Sequence, residues 1–163
     1  MEVIKVRKAI ERDKASLYQL FMEVANAKNA FMHDDRTTFE EWEVFWFGDA
    51  IFTYTAVEGD EIVGSYKITA NQPWLGNHVA NGGYMVSSKH RGKKIGELLG
   101  NHSMKEAKSK GFTAMQFNAV VSTNNGAVRL WKKLGFDIVG ECPKAFAHLT
   151  HGEVSTYIMY REL

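Results

Sequence analysis

The sequence predicts a mixed α/β domain covering residues 1–163, with a central mixed sheet of about seven strands and about four helices. Three observations carry this expectation. β-rich runs alternate along the chain with segments of helical periodicity. The 163 residues are enough for one core and too few for two comfortable ones, and 45% of them are hydrophobic. No repeat, low-complexity tract or linker interrupts the pattern.

Taken in order, residues 3–9 alternate as a strand does. Asp13 offers an N-cap to a helix whose apolar residues Leu17, Leu20, Phe21 and Val24 recur at helical spacing. "TTFEEWEVFWFG" then carries a capping box, Thr38 with Glu41, and an aromatic stripe of Phe39, Trp42, Phe45 and Trp46. "AIFTYTAVEGDEIVGSYKITAN" reads as a hairpin about Gly59 and Asp60. "NQPWLGN" breaks regular structure at Pro73 and Gly76, and "HVANGGYMV" resumes as a strand. Gly82 and Gly83 within that strand suggest a bulge or a close backbone approach. A helix from about Gly92 to Lys110 is expected to bury Ile95, Leu98 and Leu99 and to end at Gly111. "FTAMQFNAVV" reads as a buried strand. Asn124 or Asn125 caps a short helix presenting Ala127, Leu130, Trp131 and Leu134 on one face, stopped by Gly135. "FDIVG" and "VSTYIMYRE" close the chain as strands about an irregular loop, residues 142–152.

Composition narrows the function classes. A formal net charge of +1 gives no reason to expect a nucleic-acid partner or a membrane surface. Cys142 is the single cysteine, so an internal disulfide framework is excluded. The start, "MEVIKVRKAIERDK", lacks the apolar run of a signal peptide, and no stretch of about 18 apolar residues would span a bilayer. Cytoplasmic is the expected location. His33 beside Asp34 and Asp35 is poor ligand geometry for a metal, and none is expected.

The stretch with the clearest chemistry is "SSKHRGKKIG", residues 87–96, a basic turn running from a strand into a helix N-terminus. Unpaired amides and the helix dipole favour an anion there, although a solvated basic loop would read the same way in isolation. Neither the nucleotide P-loop ending nor the dinucleotide glycine fingerprint can be placed on Gly92 and Gly96.

Two stretches taken together, "YMVSSKHRGKKIGELL" and "NAVVSTNNGAVRLWKKLGF", resemble the GNAT superfamily of N-acetyltransferases. The first holds an R-x-x-G-x-G/A turn after a strand, with Arg91 and Gly96 in place. The second holds N-x-x-A-x-x-L-Y/W-x-x-x-G-F on Asn124, Ala127, Leu130, Trp131, Gly135 and Phe136. The resemblance implies acetyl-coenzyme A as cosubstrate and an amine as acceptor. It implies a splayed strand whose main chain at Tyr84, Met85 and Val86 meets the pantetheine arm. It assigns the pyrophosphate to the turn of Gly92, Lys93, Lys94, Ile95, Gly96 and Glu97, and a cofactor contact to Asn124. In the resembled family dimers are common, so a homodimer is an open expectation. The early helical region lines the substrate pocket there, which makes Trp42 and Trp46 candidates for acceptor contact.

Two residues depart from the family pattern. Lys94 stands at the first glycine of the turn, and Trp131 stands where a general-acid tyrosine is frequent. An indole donates a hydrogen bond but does not usefully give up its proton. The strand before the turn also offers Asn81 rather than a carboxylate. This version of the motif is similar to a small-amine branch of the superfamily. Asn81 is then expected to orient the amine, and Asn118 and Asn124 are the candidate catalytic groups. Asn118 could equally make a structural bond across the sheet, and Asn124 could be a helix cap, or both. Trp131 is expected to pack against the core or the cofactor. The oxyanion donor would be the backbone N–H near Met85 or Val86. The proton of the amine would leave through water, or the amine would be weakly basic. Two other classes stay open: a non-catalytic acyl-coenzyme A sensor and a phosphate-binding module, with a protein or peptide amine as an alternative acceptor.

Overall fold

The computed structural model describes residues 3–163. Seven strands form one sheet: β1 Lys5–Lys8, β2 Phe52–Glu58, β3 Glu61–Ala70, β4 Val79–Val86, β5 Ala114–Val121, β6 Asp137–His148 and β7 Gly152–Glu162. Four α-helices accompany them: α1 Lys14–Asn26, α2 Phe39–Phe47, α3 Ile95–Ser109 and α4 Asn125–Lys133. The spatial order is β1-β2-β3-β4-β5-β7-β6, antiparallel throughout except for the central β4–β5 pair. A parallel pair needs a crossover, and α3 supplies it.

Each face of the sheet buries one helical layer. Between the sheet and α3 and α4 lies a core that includes Tyr66, Ile68, Leu99, Phe117, Trp131, Phe136 and Met159. On the other face α1 and α2 bury Leu17, Phe21, Trp42 and Trp46 over Met85. The capping box forms as the sequence suggests: Thr38 Oγ1 accepts the Glu41 amide at 3.2 Å, and Glu41 accepts the Thr38 amide at 2.9 Å. Asn124 caps α4 by accepting the Ala127 amide at 3.2 Å.

Four expectations change. Asp13 does not cap α1 with its side chain; the carboxylate instead takes the Ile10 amide and pairs with Arg7. That ion pair holds Asp13 below the usual carboxylate range. α3 begins at Ile95 rather than Gly92, because Lys94 adopts the left-handed conformation with φ of 58°. Leu98 lies on the outer side of α3, and the buried stripe is Ile95, Leu99, Ser103 and Ala107. Residues 142–152 are mostly strand: β6 continues to His148 paired with β7, with register irregularities between Ile138 and Gly140 and between Cys142 and Phe146. Pro143 cannot donate to the ladder, and the second of these absorbs it without ending the pairing.

Candidate active site

β4 and β5 pair only at Val79–Ala114 and Ala80–Met115, then part. β5 bulges against β7 between Phe117 and Val120, which bends it away from β4. The Ser87 amide donates to Val63 O at 3.0 Å, and the Asn71 amide donates to Val79 O at 2.8 Å. By the alternation of an antiparallel ladder, the odd-numbered residues of β4 therefore spend their backbone groups on β3. The amides and carbonyls of Gly82, Tyr84 and Val86 face the opening instead. Of the two candidate donors, the Val86 amide faces the opening and the Met85 amide is turned to β3.

A cleft of about 400 Å³ runs through this opening. On the α3/α4 side its wall is Gly96, Asn124, Ala127, Leu130 and Trp131, with Tyr84 and Val86 on the strand. The turn at Arg91–Lys94 is exposed at its end. Among the described residues the amides of Ile95, Gly96 and Glu97 have no acceptor, as expected for a first helical turn. Gly96 lines the cleft, and a Cβ there would meet Leu130 Cδ2 at 3.1 Å, so the bare Cα lets α3 and α4 pack closely at the cleft wall. An anionic phosphate fits three free amides at a helix start. Lys93 is largely engaged elsewhere: its amide bonds His90 O at 3.4 Å and its ammonium bonds Glu58 at 2.7 Å. Glu97 pairs with Lys133 at 2.7 Å, and the Ile95 side chain is core. The Arg91 and Lys94 side chains have no partner among the described residues.

The α1/α2 side is different in character. Asn81, Gly83 and Met85 lie on this face, with Thr69, Lys67 and Ser65 opposite them in β3. Phe31, Met32 and His33, from the segment between α1 and α2, and Phe45 of α2 close the wall. Lys67 is buried, and its ammonium donates to Phe45 O at 2.6 Å. The same Nζ sits 3.4 Å from the centroid of the Phe45 ring. Burial pushes the Lys67 pKa down to about 8. The His33 ring packs on Phe45 at 4.2 Å. Burial first and then Lys67 lower its pKa, with Glu41 and Asp34 opposing. A Cβ at Gly83 would come within 3.2 Å of both Lys67 Cε and Trp46, which explains the glycine in this strand.

The cleft thus brings together Asn81, Tyr84, Met85, Val86, Gly96, Asn118, Asn124 and Trp131 of the sequence candidates. Asn118 is held by bonds to Asn71 at 2.7 Å and Gln116 at 3.0 Å, so its amide ties the parted β5 to the end of β3. Asn124 lines the cleft as well as capping α4. The Trp131 ring packs on Tyr84 and Phe117, at 4.7 and 4.5 Å between centroids. The Tyr84 hydroxyl points into the core against Ser103 at 2.7 Å, and burial drives its pKa up, so it is no ready acid. Trp42 and Trp46 do not reach the cleft: both are wholly buried under α1, and their neighbour Phe45 takes the place expected of them. Sequence reasoning missed Lys67, Phe31 and Met32 as wall residues, placed Phe45 only in the aromatic stripe, and weighed His33 only as a metal ligand before setting it aside. Among the described residues no group of three or more His, Cys, Asp or Glu is placed to hold a metal ion, and no helix is long and apolar enough to cross a membrane.

The acetyltransferase (GNAT) family model matches residues 14–136. N-acetyltransferase aca1 of Schizosaccharomyces pombe is 38% identical over 98 residues, 60% of this chain and 47% of that protein. The match therefore spans about half the length of this curated relative. A GCN5-related N-acetyltransferase from Kribbella flavida superposes with a TM-score of 0.93 at 37% identity, over 98% of both chains. YncA of Salmonella typhimurium, solved with its cofactor acetyl-CoA, shares the fold with a TM-score of 0.88 at 18% identity, over 99% of this chain and 94% of that one.

Proposed function

Because the chain belongs to the GNAT family of acetyltransferases, we propose that it transfers acetyl from acetyl-coenzyme A to the amine of a small molecule by direct attack. The observation that carries this reading is the parting of β4 from β5, which lets ligands meet through the sheet from opposite faces. Acetyl-coenzyme A supplies the activated thioester on the α3/α4 side. There Ile95, Gly96 and Glu97 hold its pyrophosphate with backbone amides, and the Val86 N–H stabilises negative charge on the carbonyl oxygen. Asn81 orients the amine on the other face. Walls of Phe31, Met32, His33 and Phe45 around that half suit a small acceptor better than an extended peptide.

His33 is the proton acceptor of this scheme, directly or through water. Its depressed pKa keeps the imidazole neutral near pH 7. Direct transfer is further supported by the position of Cys142, exposed on β6 and outside the cleft walls. An exposed free thiol also suits a reducing compartment, in keeping with a cytoplasmic location.

The test is thiol release from acetyl-coenzyme A against free amino acids, polyamines, peptides and aminoglycosides. At least one small amine is expected to stimulate release. Activity should fall as the pH drops through the pKa of His33, below 6.5, because the protonated ring cannot take a second proton. His33→Gln should remove that acid limb and cost about a hundredfold in rate. Coenzyme A binding with no amine-stimulated release would make the protein a sensor. Turnover confined to peptide amines would make it a protein acetyltransferase.

A further inference from the structure

Lys67 carries a charge that the fold leaves unmatched. Lysine is seldom this buried without a counter-charge. Yet among the described residues no carboxylate lies within 4.0 Å of Nζ, and no Asp, Glu or Arg lines the cleft. Of three ammonium donors, one is used by Phe45 O, and the face of the Phe45 ring offers only partial compensation. A lysine serving packing alone would be replaced to advantage by an apolar side chain of the same length. Instead its stem is accommodated by Gly83, directly opposite, and Lys67 lines the cleft on the same sheet face as Thr69 and Asn81.

We propose that the acceptor is an amine that also carries a carboxylate, as a free amino acid does, and that Lys67 binds this carboxylate. This rests on the acetyl-transfer reading above and specifies its acceptor. An anion entering the cleft meets a preformed, poorly hydrated cation, and the two charges are matched where neither is solvated. Polyamines and aminoglycosides bring further positive charge to a wall that already holds an uncompensated one. The ordinary alternative is that Lys67 only ties down the Phe45 carbonyl near the end of α2. That role would affect folding without distinguishing among acceptors.

The experiment compares L-amino acids, each with its own carboxamide, as acceptors in thiol release and as ligands in calorimetry on the coenzyme A-loaded protein. The carboxamide has the more weakly basic amine, so basicity alone would favour it. The acids are expected to be preferred by about ten- to hundredfold in kcat/KM and in affinity. Lys67→Met should abolish this preference by weakening the acid, while leaving coenzyme A affinity as in the parent. Equal or better use of the carboxamide by the parent overturns the proposal, and so does a preference that survives Lys67→Met. If the variant fails to fold, the comparison in the parent decides. Lys67-dependent binding of the acids without turnover would defeat the enzymatic reading and leave this one standing. Turnover with no preference for the acids would do the reverse.

Discussion

Asn124 and Trp131 share the wall of the cleft but differ in what they can still offer. The Asn124 side-chain oxygen accepts from the Ala127 amide, which leaves the side-chain NH2 group as a donor at the cleft. Trp131 is committed to packing with Tyr84, Phe117 and Phe136. The Tyr84 hydroxyl is held against Ser103, and among the described residues the α3/α4 wall of the cleft carries no other side-chain acid. A thiol of pKa about 8.5 leaves acceptably without one, so a hydrogen-bond donor suffices. Asn124→Ala is therefore expected to lower turnover at saturating acetyl-coenzyme A more than Trp131→Phe does. Losing the cap costs about 1 kcal/mol of stability, so melting curves must accompany the rates. A hundredfold loss in Trp131→Phe with Asn124→Ala near the parent would give the indole N–H the role denied it here. These two residues were legible in the sequence because their motif is local. Lys67 was not. In "SYKITA" it reads as an ordinary strand cation, and only the docking of α2 over β3 buries it.

At the level of elements, the start of α3 decides how the turn presents its amides. Lys94 holds φ at 58°, a conformation costing a non-glycine residue about 1 kcal/mol, and it is immediately followed by the helix. That is a physical reason for the glycine at this place in the resembled motif. Lys94→Gly is expected to relieve the strain and to bind coenzyme A at least as tightly as the parent, measured by calorimetry. A tenfold or greater loss would mean that the Lys94 ammonium itself grips phosphate. The order of strands and helices could be read from periodicity, caps and turn glycines. The continuation of β6 past Pro143 could not, because it depends on pairing with β7, which the local sequence does not contain. The aromatic stripe of α2 was recognised, but which of its faces looks down on Met85 is settled by packing. Truncating Trp42 or Trp46 is thus a core deletion, of the kind that costs roughly 3–5 kcal/mol, rather than a change of acceptor contact.

The whole molecule is one sheet with an opening and a different chemistry on each side. On the α3/α4 face are free amides and a glycine kept bare against Leu130; on the α1/α2 face are Lys67, His33, Asn81 and aromatic walls. Coenzyme A binding at the first of these can be measured without knowing the acceptor. At a hundredfold excess over its dissociation constant, a ligand specific for the native state adds about 2.7 kcal/mol of stability. For a chain of this size that raises the melting temperature by roughly 5–10 °C. Gly96→Glu puts bulk and a negative charge beside the three free amides. The decisive measurement is the melting temperature of the parent and of Gly96→Glu with and without coenzyme A. The account predicts the full shift in the parent and none in a variant that still melts cooperatively; an equal shift in both would contradict it.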